Sequence, residues 1–132
     1  MIRLFEEKDR SAVIKIGKYI KSNFDLVVGD NENVMVYEKD GIVVSFIHFL
    51  KMYETIDIIN LATLPEYRNL GYAGELLDEL EKQDEVKHLM LEVRKNNRVA
   101  VNFYSNRGYK VIREINNYYG DDDALIMERK LI

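Results

Sequence analysis

The sequence contains no cysteine and no tryptophan, only one proline, and no long apolar run. Without cysteine the chain cannot form a disulfide scaffold, a thiolate metal site or an iron–sulfur cluster, and it cannot use a thiol nucleophile. No apolar run approaches the ~18 residues of a membrane-spanning helix, and no charged-then-apolar leader opens the chain. We therefore expect a protein that does not engage a membrane and is located in the cytoplasm.

The chain also lacks an excess of positive charge. Its 19 Lys+Arg residues against 23 Asp+Glu residues give a net charge of −4, and the pI is about 5.3. This balance argues against nucleic acid as a partner. The 132 residues, of which 47% are hydrophobic and 32% charged, fit one domain over 1–132, because domains commonly span about 100–150 residues. We expect this domain to be a monomer or a homodimer.

Hydrophobic periodicity predicts alternating strands and helices. The predicted strands are 1–5, 34–39, 42–50, 55–63, 88–93, 109–115 and 124–131, and the predicted helices are about 9–23, 71–83 and 97–108. Asp40-Gly41 is typical of a type I′ hairpin turn, whereas the strand–helix–strand order of 55–93 predicts a parallel pair with a right-handed crossover. The fold class is therefore α/β, with a mixed sheet flanked by helices.

Two periodic patterns predict which side chains share a face. The first helix should present an apolar stripe at spacings of 3, 4 and 4, formed by Val13, Ile16, Ile20 and Phe24. Alternation along 55–63 should place Ile56, Ile58 and Asn60 on one face and Asp57, Ile59 and Leu61 on the other. In the strand 88–93, alternation puts Met90, Glu92 and Arg94 together.

A glycine-containing segment, Arg68-Asn69-Leu70-Gly71-Tyr72-Ala73-Gly74, lies between a predicted strand and a predicted helix. Small residues let the backbone approach a ligand, and the first N–H groups of the helix favour an anion such as a pyrophosphate. The segment has neither the Walker lysine nor the dinucleotide fingerprint. An ordinary strand-to-helix connection, with glycines for packing, is the alternative.

Six basic residues and no acidic residue lie between Val93 and Arg113. They are Arg94, Lys95, Arg98, Arg107, Lys110 and Arg113. A solvated helix face is the usual interpretation of such a run. This run begins at the carboxyl end of a strand, where open α/β sheets bind ligands, so it favours a polyanionic ligand.

Two blocks of the sequence resemble conserved motifs of the GCN5-related N-acetyltransferase (GNAT) family. Residues 60–74 are similar to its acetyl-CoA signature, Q/R-x-x-G-x-G/A. Residues 91–109 are similar to its L-E-V-R-x-x-N block, which continues through a helix to F/L-Y-x-x-x-G-F/Y. The resemblance covers about 55–132, and the N-terminal third matches only in its strand–helix–hairpin outline. It implies the GNAT-like acyl-CoA N-acyltransferase fold.

The segments 91–94, 117–119 and 123–127 resemble, in particular, the branch of the family that acetylates protein N-termini, typified by the ribosomal-protein alanine acetyltransferase. The resemblance implies an N-acetyltransferase that moves an acetyl group from acetyl-CoA (coenzyme A) to a primary amine, such as a protein or peptide N-terminus. A small-molecule amine acetyltransferase and a non-catalytic acyl-CoA-binding or sensing domain remain alternatives. The short stretch between the first helix and the second strand departs from the family, which usually builds part of the acceptor site there.

The resemblance also implies roles for individual residues. Glu92 would be the general base and Tyr104 the general acid, while Asn97 and the backbone of Leu61 and Thr63 would hold the pantetheine arm. The cofactor-binding residues it implies are Leu61, Ala62, Thr63, Arg68, Asn69, Leu70, Gly71, Tyr72, Ala73, Asn97 and Arg107. Arg68 stands where glutamine is common in the family, and Ala73 replaces the second glycine.

Each catalytic role has a structural alternative. Glu92 could instead form an ion pair with Arg94 or Lys95, and Tyr104 could be a core aromatic beside Phe103. His48 is more often a sheet histidine than a base, although it could face the acceptor. No second ligand lies at a recognised metal spacing from either histidine, so no metal is expected.

The absence of cysteine constrains the chemistry. A cysteine-bound acyl intermediate is impossible, so the amine must attack the thioester directly in a ternary complex. The amine must first lose a proton, which is easier for an α-amino group, with a pKa of about 7.7–8.0, than for lysine, with a pKa of about 10.4.

Overall fold

The computed structural model describes residues 1–131, which contain one seven-stranded sheet and three α-helices. The strands are β1 (Ile2–Leu4), β2 (Glu32–Lys39), β3 (Ile42–Met52), β4 (Thr55–Thr63), β5 (His88–Arg94), β6 (Lys110–Ile115) and β7 (Ala124–Lys130). The helices are α1 (Arg10–Gly17), α2 (Tyr72–Glu81) and α3 (Arg98–Asn106). No helix within residues 1–131 is long and apolar enough to span a bilayer.

The strand order is β1-β2-β3-β4-β5-β7-β6. Strands β4 and β5 pair in parallel through the α2 crossover, and the other neighbouring pairs are antiparallel. This arrangement confirms the predicted mixed sheet. The β2–β3 turn also has the predicted geometry, because both Asp40 (φ 52°) and Gly41 (φ 80°) adopt positive φ angles.

Helix α3 begins and ends at the residues that its sequence indicates. Asn97 is the N-cap, and its side chain accepts a hydrogen bond from the backbone N–H of Ala100 at 3.2 Å. Gly108 follows the helix with φ 92°, a conformation that favours glycine after a helix C-terminus. These two local signals fix the length of the helix that carries Tyr104.

Helix α1 is shorter than predicted, because it ends at Gly17 and not near residue 23. The ring of Phe24 packs directly onto Gly17, where a Cβ atom would lie 2.1 Å from Phe24 Cδ1. The chain must turn back after Gly17 to make this contact. Ile20, which the periodicity placed on the buried stripe, is consequently 47% exposed.

Two apolar clusters cover the two faces of the sheet. One cluster lies under α2 and α3 and includes the side chains of Phe49, Ile56, Leu76 and Leu89. The other lies under α1 and includes Val13, Ile16, Val36 and Phe46. Hence each face of the sheet has its own helical layer.

A β-bulge in β4 overturns part of the predicted face assignment. In the β3–β4 register Phe49 pairs with Ile58 and His48 pairs with Asn60, so Ile59 is an extra residue on β4. The bulge moves Asn60 to the face opposite Ile58, whereas simple alternation had placed the two together. It also bends the strand locally, as bulges do.

Candidate active site

The first component of the site is a separation between β4 and β5. The two strands pair from Thr55↔His88 to Ile58↔Leu91. Beyond that pair, β4 continues to Thr63 and β5 continues to Arg94. Within residues 1–131, no β4 residue after Ile58 pairs with β5. The separation begins at the Ile59 bulge, so the bend in β4 accounts for it.

This separation leaves a backbone edge on β4 that faces β5. The N–H group of Leu64 donates to the carbonyl of Val44 on the β3 side at 2.9 Å. Because successive residues of a strand point their N–H and C=O groups to opposite sides, Leu61 and Thr63 direct theirs towards β5. An extended polar ligand arm could pair with this edge as an additional strand would.

The second component is the loop that leads into α2. Gly71, the N-cap of α2, has φ 91°, a left-handed conformation that strongly favours glycine. Arg68, Asn69, Leu70 and Gly71 are exposed. The N–H groups of Tyr72, Ala73 and Gly74 open the helix, where they lack intrahelical partners and the helix dipole favours an anion. Backbone donors therefore make this loop suitable for a pyrophosphate.

Two predicted residues of this loop also make contacts within the protein. Arg68 donates through Nε to the carbonyl oxygen of Thr63 at 3.1 Å, and its guanidinium lies 5.7 Å from the ring centroid of Tyr19. Tyr72 is buried, with its ring 4.5 Å from that of Tyr37. Arg68 thus ties the loop to the end of β4, and Tyr72 anchors the first turn of α2.

Glu92 lies on β5 immediately after the last residue that pairs with β4. Its side chain is exposed, and its Oε2 atom accepts a hydrogen bond from the hydroxyl of Tyr119 at 2.6 Å. The alternative ion pairs with Arg94 and Lys95 are not formed in the described part of the chain. Arg94 instead binds Asp121 at 2.9 Å, and Lys95 binds Glu114 at 2.9 Å.

Tyr119 is a site residue with no role in the chemistry predicted from the sequence. The guanidinium carbon of Arg94 lies 4.1 Å from the centre of its ring. Burial and the hydrogen bond to Glu92 raise the pKa of the Tyr119 phenol, so the hydroxyl remains a donor. The loop between β6 and β7 is thereby held against Glu92. The sequence signals for this residue were the pair of adjacent tyrosines and the resemblance of segment 117–119 to the family branch, and neither indicated the contact with Glu92.

Tyr104 lies on α3 and is buried, with 8% of its surface exposed. Its ring packs against those of Phe103 and Tyr109, at centroid distances of 5.2 and 5.5 Å. Tyr104 therefore packs as a core aromatic residue, as the structural alternative predicted. Burial raises the pKa of the Tyr104 phenol, so the group keeps its proton at neutral pH and could donate it to a thiolate.

Arg107 follows the end of α3 and lies against α2, where a Cβ atom on Gly74 would be 3.1 Å from Arg107 Nη1. It binds the carboxylates of Asp78 and Glu81, and its Nε atom is buried without a hydrogen-bond partner among residues 1–131. With Arg94 and Lys95, it is one of three members of the basic run that pair with carboxylates. The run therefore offers less free positive charge than its composition indicates, and the assignment of Arg107 to the cofactor stays a prediction.

Comparison with known proteins shows the family to which this chain belongs. The model of the acetyltransferase (GNAT) family matches residues 3–109. The chain belongs to the GNAT family. This membership confirms the family and the fold that the two sequence blocks indicated.

Among curated proteins, this GNAT chain is 40% identical over 76 residues to N-alpha-acetyltransferase 20 of Dictyostelium discoideum, a match that covers 54% of the chain and 44% of that relative. It is 33% identical over 113 residues to an N-alpha-acetyltransferase of Sulfurisphaera tokodaii, covering 73% of the chain and 68% of the relative. The chain thus spans less than half of the first relative and about two thirds of the second.

Among solved structures, the ribosomal-protein-S18-alanine N-acetyltransferase of Escherichia coli superimposes with a TM-score of 0.82 at 28% identity, covering 99% of this chain and 93% of that one. A streptothricin acetyltransferase from Bacillus anthracis, solved in complex with acetyl coenzyme A, gives a TM-score of 0.84 at 19% identity and covers 100% and 98% of the two chains. The first similarity matches the branch indicated by the sequence, and the second shows the fold.

Proposed function

We propose that this GNAT domain binds acetyl-CoA along the separated part of β4 and transfers the acetyl group to the α-amino group of a polypeptide. The position of Glu92 carries the proposal: an exposed carboxylate stands at the point where β4 and β5 separate. A ligand arm lying along β4 would bring its reactive end to this point. The relatives named as N-alpha-acetyltransferases support the choice of acceptor.

The residues around the separation fit the chemical parts of acetyl-CoA. The backbone edge of Leu61 and Thr63 would pair with the amides of the pantetheine arm, and the N–H groups at the start of α2 would hold the pyrophosphate. The side-chain amide of Asn97 keeps its N–H donors available, because its oxygen caps α3. Acetyl-CoA supplies the activated acyl group as a thioester.

The proposed reaction needs two proton transfers. Glu92 accepts a proton from the amine, directly or through a water molecule, so that the nitrogen lone pair becomes nucleophilic. A bond then forms between that nitrogen and the acetyl carbon, and the carbon–sulfur bond breaks. Tyr104 donates its proton to the departing sulfur. Burial raises the pKa of the Tyr104 phenol, so the group still holds its proton when the thiolate forms.

The exposed position of Glu92 favours an acceptor that reaches the site from solvent with only its terminus engaged. An α-amino group suits this setting because it loses its proton near neutral pH. On the loop beside Glu92, Asp121 is paired with Arg94, whereas the carboxylate of Asp122 forms no ion pair within residues 1–131 and adds a negative field that attracts a protonated amine.

The experiment is to measure CoA thiol release from acetyl-CoA with N-terminal peptides, polyamines and free amino acids as acceptors. We expect turnover with peptides. Turnover restricted to small amines would replace the peptide with a small-molecule acceptor, and tight acetyl-CoA binding without any turnover would favour a sensing domain. Peptides blocked at the α-amino group, but with a free lysine, separate the two kinds of amine.

Two variants test the catalytic roles. Glu92→Gln and Tyr104→Phe should each lower kcat by about 10²–10⁴-fold, the usual contribution of a general acid or base, while the Kd for acetyl-CoA remains nearly unchanged. Matched controls are Glu54→Gln and Tyr53→Phe, in the exposed turn before β4, which should keep full activity. Full activity of both active-site variants would contradict the assignment.

A further inference from the structure

A chain of three polar side chains crosses β2, β3 and β4 and has no part in the reaction described above. Glu32 Oε1 lies 2.6 Å from His48 Nε2, and His48 Nδ1 lies 3.3 Å from Asn60 Nδ2. His48 is only 4% exposed, and Asn60 is half-buried. A buried polar chain of this kind needs every donor and acceptor matched, so its direction can be deduced.

The carboxylate at one end sets the direction of the whole chain. Hydrogen bonds from the backbone of Gly29 and from His48 hold the pKa of Glu32 below its usual range, so Glu32 is charged and can only accept. His48 Nε2 must therefore donate to Glu32. The atom that faces the other nitrogen, Nδ1, is the amide nitrogen of Asn60 at 3.3 Å. An amide nitrogen can only donate, so Nδ1 accepts. The Asn60 amide is consequently fixed, with its nitrogen towards His48 and its oxygen Oδ1 at the other end of the amide.

The bulge at Ile59 places Asn60 on the same face of the sheet as Glu92. Asn60 pairs with His48, and Asp57 pairs with Leu50, so both β4 residues share the face of these β3 side chains. Asp57 also pairs with Met90 of β5, and Glu92 lies two residues further on the same face. Asn60 and Glu92 therefore flank the start of the separation from its two sides.

A neutral primary amine has two N–H groups and one lone pair, and it reacts only when the lone pair points at the acyl carbon. Two hydrogen-bond acceptors fix that orientation, whereas one acceptor leaves rotation about the N–H bond free. We propose that Asn60 Oδ1 is the second acceptor for the incoming amine beside Glu92, and that His48 and Glu32 are positioning residues that fix the Asn60 amide. This inference rests on the proposed acetyl transfer but does not depend on which amine is the acceptor.

The test is the steady-state kinetics of variants with both substrates varied. Asn60→Ala should raise the acceptor KM or lower kcat, reducing kcat/KM for the amine about tenfold, as expected for one hydrogen bond, with less than a twofold change in the KM for acetyl-CoA. His48→Leu, which leaves the Asn60 amide unfixed, should give a similar but smaller loss. Far-UV circular dichroism and melting temperature verify that each variant is folded.

A rescue variant separates positioning from simple packing. Glutamine carries an NH2 donor group and an oxygen acceptor on a single amide, so His48→Gln can bind Glu32 and Asn60 together and should recover most of the activity lost in His48→Leu. The matched control is His88→Gln, since His88 is half-buried on β5 beside Thr55, at the paired end of the strands. His88→Gln should not alter the kinetics.

The outcomes distinguish this inference from the proposed function. Activity with small amines but not with peptides would refute the peptide acceptor, while the Asn60 effect on that amine would still support the inference. Unchanged acceptor kinetics in folded Asn60→Ala, or equal changes in the KM for both substrates, would overturn the inference and leave the acetyl transfer standing. Absence of turnover with every amine would overturn both.

Discussion

The two ends of the β4–β5 pair differ sharply although they belong to the same strands. At one end, Thr55–Ile58 is paired with His88–Leu91, and the side chains of Ile56 and Leu89 are fully buried. At the other end the strands separate, and Glu92 is exposed. A single extra residue, Ile59, marks the change. Packing is thus concentrated on one side of the bulge and the proposed chemistry on the other.

This difference shows how a small domain combines a stable core with an open backbone edge. Unpaired strand edges normally invite aggregation or must be covered. Here the edge lies between two strands of one sheet, which are held together by their paired ends and by the packing of α2. The sheet therefore exposes hydrogen-bonding groups to a ligand without presenting an outer edge.

Deletion of Ile59 should have the largest effect. Without the bulge, β4 straightens and pairs with more of β5, which removes the edge formed by Leu61 and Thr63. We expect kcat/KM to fall by at least roughly 100-fold, since misplacement by about 1 Å can cost that much. Thiol-release kinetics measure the change in kcat/KM, and titration calorimetry measures the affinity for acetyl-CoA. The control Ile59→Ala keeps the bulge and should bind normally, and unchanged acetyl-CoA affinity after the deletion would contradict the role of the bulge.

Leu89→Ala should affect the paired end and leave the reacting end intact. Leu89 is fully buried under α2 and α3, and truncating such a leucine costs about 2–5 kcal/mol of unfolding free energy. Urea unfolding measures this loss. At a temperature where the variant is folded, kcat should remain within about twofold of the original, because the substitution touches no reacting group. A large fall in kcat under those conditions would show that the two ends are coupled.

Tyr119→Phe should have the smallest effect, confined to the separated end. The substitution removes the hydroxyl that donates to Glu92 and keeps the ring over Arg94. We expect kcat to fall about 3–10-fold, the range of one hydrogen bond, with little change in unfolding free energy. Tyr118→Phe, at a 53% exposed neighbour, is the control. A rise in kcat would instead indicate that the Tyr119 hydroxyl restrains Glu92.

Local sequence signals predicted most of the fold. Strand β4 has the predicted bounds, the Asp40-Gly41 turn has the predicted positive φ angles, and Asn97 caps α3 as expected. Each of these features depends on a few neighbouring residues. The end of α1 does not, because it depends on the contact of Phe24 with Gly17, which the helical period of the sequence does not reveal.

The site was predictable in its motifs but not in its contacts. The bulge is invisible to alternation because Ile58 and Ile59 are both apolar, so nothing in the sequence marks one of them as extra. The hydrogen bond between Tyr119 and Glu92 joins residues 27 positions apart, and the ion pairs of Arg107 likewise join distant segments. Charge counting overestimated the free positive charge for this reason. The roles of Glu92, Tyr104 and Asn97 stay predictions until they are tested.

The position of β7 in the sheet has a consequence for how the protein is made. Strand β7 pairs with β5 along its whole length, from His88 to Arg94, yet it follows the six other described strands in the chain. The β2–β3–β4 meander can form early because its contacts are local, whereas the β5–β7 pairing must wait. A nascent chain that has not reached residue 124 leaves the second edge of β5 unpaired. We therefore expect the domain to lack the proposed activity through most of its own translation and to acquire it abruptly.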